Sequence, residues 1–252
     1  MPAPQPGVAC IHLLTKSNEC LFALWACRSL LERLDAPIPL YVHDDGSLTS
    51  TDVGRLERSL PGVQIVRRAD ADAAARQVLA GWPNCLAFRQ SHVLSLKLFD
   101  PWIVQTTGDI ILLDSDVLFF RRPTEVIDWL AHPEHRRNLW NRERAPDENR
   151  NPMAGFNSGL GLLRRDLMNL QAVEDLLSKN AQGSIPWLME QEIYGQLSAI
   201  AGMEALPPSY HVATVADGRN APPSALAAKH YVGLVRGLFI GEGLLWLLTQ
   251  RD

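Results

Sequence analysis

The run Ile110-Ile111-Leu112-Leu113-Asp114-Ser115-Asp116-Val117 carries an apolar strand straight into two carboxylates spaced i, i+2. Alternate residues leaving a strand point the same way, so Asp114 and Asp116 can converge on one hard divalent cation, which prefers oxygen ligands. A cation held there could bridge a diphosphate and neutralise a departing phosphate. The same residues also read as a strand-end turn with two solvated aspartates. Elsewhere the chain offers polar groups at points where backbone elements change direction. Thr15 closes the first apolar run, Asp44 and Asp45 close the second, and Gln191 with Glu192 opens a late helix. Each has a plain alternative: Asp44-Asp45-Gly46 is a turn sequence, and carboxylates gather at helix starts for dipole and capping reasons.

The elements that must position these groups follow from periodicity. Val8 to Leu14 reads as a buried strand, and Ser17 or Asn18 can cap a helix whose apolar positions Leu21, Leu24, Trp25, Leu31 and Leu34 recur at helical spacing. Ile38 to Val42 is a second strand, and Thr49 or Ser50 can cap the helix that runs through Leu60. Val63 to Val66 is a third strand. Helices are expected over Ala71 to Leu79 and Ser91 to Trp102, then the strand Ile110 to Leu113, the strongest strand signal in the chain. This β-α alternation predicts an α/β fold with a mostly parallel central sheet flanked by helices, binding ligands at the carboxyl ends of its strands. Arg136 to Met153, dense in Arg, Asn, Glu and Pro, reads as a mobile loop able to close over a ligand. A strand at Leu160 to Leu163 and helices at Leu167 to Leu177 and Glu190 to Ala199 follow.

Four segments, in order, resemble the pattern of retaining glycosyltransferases of family 8. Asp114-Ser115-Asp116 resembles the family's D-x-D metal motif. Phe156-Asn157-Ser158-Gly159 resembles its F-N-[AS]-G segment, Glu190-Gln191-Glu192 its D-Q-D/E helix start, and His230-Tyr231-Val232-Gly233-Leu234-Val235-Arg236 its H-x-x-G-x-x-K segment. The resemblance runs from about Val8 to Arg236. It implies a GT-A-like single domain with a Rossmann-like nucleotide-binding half, residues 8–120, and an acceptor-binding half, residues 121–252. It further implies that Asp114, Asp116 and His230 ligate Mn²⁺ or Mg²⁺, and that the donor is a nucleotide sugar, with UDP the usual nucleotide. Imidazole in the ligand set suits Mn²⁺ better than Ca²⁺. Thr15, Asp44 and Asp45 fall where such folds contact the nucleoside. Lys97, Ser115, Gly233 and Arg236 fall on the donor, with Arg236 where the family has Lys. Asn157 and Gln191 are implied at the reacting end, and on the acceptor side Asn157 and Ser158 offer short polar groups beside a glycine that lets a sugar approach the backbone. Lys97 has the alternative of an ordinary solvated helix position, and His230 that of a structural histidine. The Pro-Trp that usually follows the last motif is replaced here by Gly237-Leu238. The implied mechanism is departure of the nucleotide with same-face attack by an acceptor hydroxyl.

Composition narrows the alternatives. The 252 residues are 46% hydrophobic, enough for a substantial core, and 24 basic against 28 acidic residues give a net charge of −4. The basic residues are dispersed, which excludes nucleic acid as the expected partner and leaves a carbohydrate, small-molecule or protein acceptor. Cys10, Cys20, Cys27 and Cys85 lack C-x-x-C spacing and are expected to be buried and reduced. The N-terminal residues carry no basic leader region, so a cytoplasmic location is expected. No apolar stretch reaches the ~20 residues that span a bilayer. The apolar C-terminal segment from Gly237 is expected to close the core as a helix, or at most to touch a membrane surface weakly. Two rivals stand beside the transferase reading. A haloacid-dehalogenase-like phosphatase also places D-x-D after a strand, although here the motif lies mid-chain with no later G-D-x-x-x-D segment. A nucleotide-sugar-fold protein without turnover is the non-enzymatic one.

Overall fold

The structure, a computed structural model, describes residues 8–142, 156–180, 185–214 and 221–250. The first half alternates as its apolar runs require: β1 (Cys10–Thr15), α1 (Cys20–Leu31), β2 (Leu40–Asp44), α2 (Ser50–Ser59), β3 (Gln64–Val66), α3 (Arg68–Val78), α4 (Pro83–Ser91), α5 (Ser95–Val104) and β4 (Ile110–Leu113). Thr49 caps α2 through a reciprocal box: its Oγ1 accepts from the Asp52 N–H at 3.2 Å, and Asp52 Oδ2 accepts from the Thr49 N–H at 3.0 Å. Asp52 Oδ2 also accepts from Ser17 Oγ at 2.6 Å, which ties the start of α2 to the loop after β1. α1 starts after a 3-10 turn, Ser17–Glu19, and neither Ser17 nor Asn18 caps it.

One expected helix is two. The stretch read as Ser91 to Trp102 breaks at His92-Val93-Leu94 into α4 and α5. α5 tolerates Pro101 because the carbonyl that its missing N–H leaves free, that of Lys97, accepts instead from the Tyr194 hydroxyl at 3.0 Å. That hydroxyl in turn accepts from Trp102 Nε1 at 3.1 Å.

The second half supplies β5 (Val117–Phe119), α6 (Thr124–Ala131), β6 (Asn138–Arg142), β7 (Phe156–Leu163), α7 (Leu170–Asn180), α8 (Met189–Ala201), β8 (Met203–Ala205), β9 (Tyr210–Ala213), β10 (Ala228–Tyr231), a π-helical turn Phe239–Leu244 and α9 (Leu245–Thr249). The described strands form one ten-stranded sheet in the order β3-β2-β1-β4-β7-β6-β9-β10-β5, with β8 beside β6. β3, β2, β1 and β4 are mutually parallel, as are β6 with β8 and β9, and β9 with β10. β7 runs antiparallel to both β4 and β6, and β5 antiparallel to β10. Helices cover both faces. Ile111 and Leu113 of β4 pack toward α1 and α2, while their alternates Ile110 and Leu112 pack toward α4, α5 and α8.

The expected loop from Arg136 is corrected over its first part: Asn138 to Arg142 is the interior strand β6. Its polar residues hid it. Asn138 Oδ1 accepts from the Arg164 N–H at 2.9 Å, and Trp140 buries its ring while donating to Ser198 Oγ at 2.8 Å. The remainder of that segment, 143–153, lies outside the described residues. All four cysteines are buried and free. Phe239 and Leu247 of the C-terminal segment close a cluster with Leu118, Phe120 and Tyr231, while Ile240, Leu245 and Leu248 stay exposed. Among the described residues no helix is long and apolar enough to cross a membrane.

Candidate functional site

In the order β3-β2-β1-β4 the chain reverses its direction of travel across the sheet between β1 and β4, the place where open α/β sheets bind ligands. A cleft of about 560 Å³ opens there. Thr15 from β1, Asp45 after β2, Lys97 from α5, Asp114, Ser115 and Asp116 after β4, Asn157 from β7, Gln191 from α8, and His230, Gly233 and Arg236 from β10 and its following turn all line it. Asp44 does not. Its Oδ1 accepts from the N–H groups of Gly46 and Leu48 at 2.8 and 3.0 Å, and its Oδ2 faces Arg67 Nη2 at 3.4 Å, so it shapes the turn from behind. Glu192 is exposed and bonded to Gln196 along its own helix.

Backbone pairing fixes the D-x-D segment from both sides. The Asp114 N–H donates to the Gly159 carbonyl at 2.8 Å, and the Asp116 carbonyl accepts from the Tyr231 N–H at 2.9 Å. One ligand atom each from Asp114, Asp116 and His230 lie within 4.8 Å of one another. The tautomer of His230 follows from its neighbours. Asn157 Oδ1 accepts from the Gly159 N–H at 2.9 Å, which identifies it as the oxygen, so the His230 Nδ1 that faces it at 2.9 Å carries a proton and donates. His230 Nε2 then faces Asp116 Oδ1 at 2.9 Å and Asp114 Oδ2 at 3.7 Å. A bare ring nitrogen against two carboxylate oxygens needs a positive centre between them, either a second proton or a divalent cation.

Each carboxylate is held from its other oxygen. Lys97 Nζ lies 2.6 Å from Asp114 Oδ1, and Arg236 donates to Asp116 Oδ2 from Nε at 2.8 Å and Nη2 at 2.6 Å. Both aspartates therefore present one oxygen to His230 with the second oriented by a cation, the outer-sphere arrangement that orients metal ligands. Burial opposes ionisation of Asp116, but His230 and Arg236 outweigh it and bring its pKa down to about 2. Two carboxylate oxygens and an imidazole nitrogen are a donor set that fits a divalent cation.

Gly159 has a use that the sequence reading did not give it. A Cβ there would stand 2.1 Å from His230 Cε1 and 2.2 Å from Nδ1, so the space above the glycine is taken by the imidazole and not by a ligand. Gly233 adopts φ +53°, a left-handed conformation that lets the chain turn after β10 and aim Arg236 back at Asp116. Arg236 Nη1 also reaches Glu19 Oε1 at 2.8 Å, and Glu19 Oε2 accepts from Ser115 Oγ at 3.2 Å. For Arg236 to grip a diphosphate with two parallel hydrogen bonds, its fork must leave one of these carboxylates.

Glu19 and Glu190 line the cleft and escaped the sequence reading as site members. Glu19 sits in the 3-10 turn before α1 with nothing in its spacing to mark it. Ser158 Oγ accepts from Lys97 Nζ at 3.1 Å and donates to Glu190 Oε2 at 3.2 Å. Glu190 is 2% exposed, and its Oε1, which lacks a hydrogen bond, lies 3.8 Å from Lys97 Nζ. Burial, opposed by Lys97 and assisted by Asp114, pushes its carboxyl up to about 7. Beside it the Gln191 carboxamide is fixed in orientation: Nε2 donates to the Phe156 carbonyl at 2.9 Å and Oε1 accepts from the Ser158 N–H at 3.2 Å.

No protein-family model and no curated protein matches the sequence. Solved structures do match the fold. The galactosyltransferase LgtC, determined in complex with donor and acceptor sugar analogs, superposes with a TM-score of 0.59 at 15% identity over 89% of this chain and 87% of its own. Mouse xyloside xylosyltransferase 1 gives 0.54 at 14% identity, covering 90% of this chain and 98% of that one. GlyE of Streptococcus pneumoniae TIGR4, a glycosyltransferase, gives 0.52 at 11% over 97% and 63%. With its parallel β3-β2-β1-β4 half, its D-x-D turn and these neighbours, the chain has the GT-A fold of glycosyltransferases and resembles those of family 8.

Proposed function

We propose that the protein is a metal-dependent glycosyltransferase that moves a sugar from a nucleotide sugar, with UDP as the nucleotide, to an acceptor hydroxyl. The observation that carries this reading is the geometry around His230. Its Nδ1–H is committed to Asn157 while Nε2 faces two carboxylate oxygens, each on an aspartate whose other oxygen is held by Lys97 or Arg236. A divalent cation bound there supplies charge neutralisation to the diphosphate. Asp114, Asp116 and His230 would hold it. Residues 8–120 would take the nucleoside, with Thr15 and Asp45 on the cleft wall nearest the ends of β1 and β2. Lys97, Ser158, Glu190 and the oriented Gln191 form the floor beyond the D-x-D turn, where hydroxyls of the transferred sugar would find both donors and acceptors. If the anomeric configuration is retained, no side chain among these groups stands out as an activated nucleophile, and same-face attack by the acceptor hydroxyl is the route that remains.

The test is turnover. Incubation with a panel of nucleotide sugars and Mn²⁺ should release the nucleotide from at least one UDP-sugar, and chelation should abolish that release. Full turnover after exhaustive chelation would remove the metal from the scheme. Release of phosphate from an aryl phosphate with Mg²⁺, and no turnover of any nucleotide sugar, would turn the reading to a phosphatase.

A further inference from the structure

The cleft has a second character that its polar floor does not explain. Two chain corners raise an apolar wall beside that floor: His92-Val93-Leu94, between α4 and α5, and Pro186-Trp187-Leu188, ahead of α8. Val93, Leu94, Trp187 and Leu188 all line the cleft. Trp187 is 64% exposed, Leu188 54% and Val93 38%. Large apolar side chains left to solvent in a concavity, next to convergent polar groups, mark a place where a ligand covers them.

The indole is also braced. Its ring centroid lies 5.4 Å from that of His92, and His92 packs 5.2 Å from Phe88 of the core. One edge of Trp187 is therefore seated on the protein while most of the ring is open. The two corners lead straight into the floor: Lys97 follows Leu94 on α5 by three residues, and Glu190 and Gln191 follow Leu188 on α8.

An open aromatic face beside hydrogen-bonding groups fits a molecule that is apolar on its ring faces and polar around its rim. A pyranose is such a molecule. Its axial C–H groups present an apolar face to an indole, and its equatorial hydroxyls reach sideways to polar partners. We infer that Trp187, with Val93 and Leu188, is the acceptor platform, and that the acceptor is a glycoside whose pyranose ring lies on the indole with a hydroxyl turned toward Gln191 and the floor. This inference rests on the transferase reading and names the substrate class of its open side. A lipid or protein acceptor would meet the wall differently, through an alkyl chain or a broad convex surface.

The test uses the full chain with UDP and Mg²⁺, a diamagnetic ion suited to NMR, and a panel of methyl α- and β-pyranosides and octyl glucoside. In saturation-transfer difference spectra, at least one methyl pyranoside should receive magnetisation chiefly at its axial ring protons. Trp187→Ala should weaken that pyranoside at least tenfold, whereas Trp187→Phe should retain most of the affinity, because a smaller aromatic face still stacks. In transfer assays Trp187→Ala should raise the acceptor KM far more than it lowers kcat. Transfer to octyl glucoside through its alkyl protons alone would overturn the platform in favour of an apolar aglycone. Equal pyranoside affinity in wild type and Trp187→Ala would overturn it as well. So would the absence of any pyranoside binding by a protein that still binds UDP with the metal, and that result would leave the donor reading standing.

Discussion

At the scale of single residues, the site is built from groups whose second bonds decide their first. Asn157 holds one nitrogen of His230, and this commits the other to the carboxylates. Gly159 makes room for the ring. Gly159→Ala would drive a methyl into the imidazole, and relief requires His230 to leave Asn157 and the aspartates. The expected result is at least a tenfold loss of Mn²⁺ affinity in the presence of UDP, in the range found when outer-sphere partners of metal ligands are removed. Overpacking of this kind also costs about 1–3 kcal/mol of stability. Calorimetric titration with a thermal melt reads both quantities, and wild-type Mn²⁺ affinity in this variant would show that the imidazole is not a ligand. The sequence exposed Asp114, Asp116 and Asn157 through local motifs. Glu19 it could not expose, because the partner that gives it meaning, Arg236, lies 217 positions away.

At the scale of elements, the legible parts were those whose signal is local. The apolar run of β4 and the capping box of α2 are written in a few consecutive residues, and both stand where those residues place them. β6 and β10 were illegible for the opposite reason. Asn138 and Asn141 are buried in β6, and Lys229 of β10 is fully buried because Glu242 of the π-helical turn receives its ammonium at 2.8 and 3.1 Å. No pattern of alternating polarity survives such long-range pairing. α5 depends on a similar compensation, since Tyr194 of α8 satisfies the carbonyl left free by Pro101. Tyr194→Phe leaves that carbonyl and the Trp102 N–H without their partner and should cost about 1–3 kcal/mol. Because α5 carries Lys97 and α8 carries Gln191, the variant should also weaken UDP binding. Urea unfolding checks the first effect and UDP titration the second. A variant as stable as wild type would mean that the helix tolerates Pro101 unaided.

At the scale of the whole molecule, a polar chain crosses the middle of the Rossmann-like half. Gln105 Nε2 donates to the carbonyls of Thr107 and Asp109, so its Oε1 accepts from His12 Nε2–H at 2.7 Å. His12 Nδ1 must then accept from His43 Nε2–H at 2.9 Å. Both histidines are thus neutral and in fixed tautomers: His12 donates and accepts, while His43 donates through Nε2 and leaves its buried Nδ1 without a hydrogen bond. Burial lowers the pKa of His12 to about 4 and holds that of His43 well below its ordinary value. Below pH ~6.5 the unfolded chain takes up protons that the folded one refuses, so the stability from each histidine is complete above that pH. For His12 it drains as the pH falls toward about 4, at up to ~1.4 kcal/mol per pH unit. Glu190 titrates in the opposite sense, its raised pKa favouring the folded state in acid, so the histidine contribution is best read as a difference. The destabilisation caused by His12→Gln should be largest near pH 7.5 and shrink steadily between pH 6.5 and 4. A difference that stays constant over that range would mean that His12 is protonated in the folded protein.

Whether Asp114, Asp116 and His230 hold a divalent cation on which a nucleoside diphosphate depends is decided by titrating UDP into the wild-type protein with and without Mn²⁺. Asp116→Asn, which keeps the size of the side chain but removes its charge, serves as the comparison. Wild type should bind UDP at least tenfold more tightly with Mn²⁺ than with chelator, and Asp116→Asn should lose that gain while its melting curve stays cooperative. Equal UDP affinity with and without the ion, or a full Mn²⁺ gain retained by Asp116→Asn, would contradict the assignment.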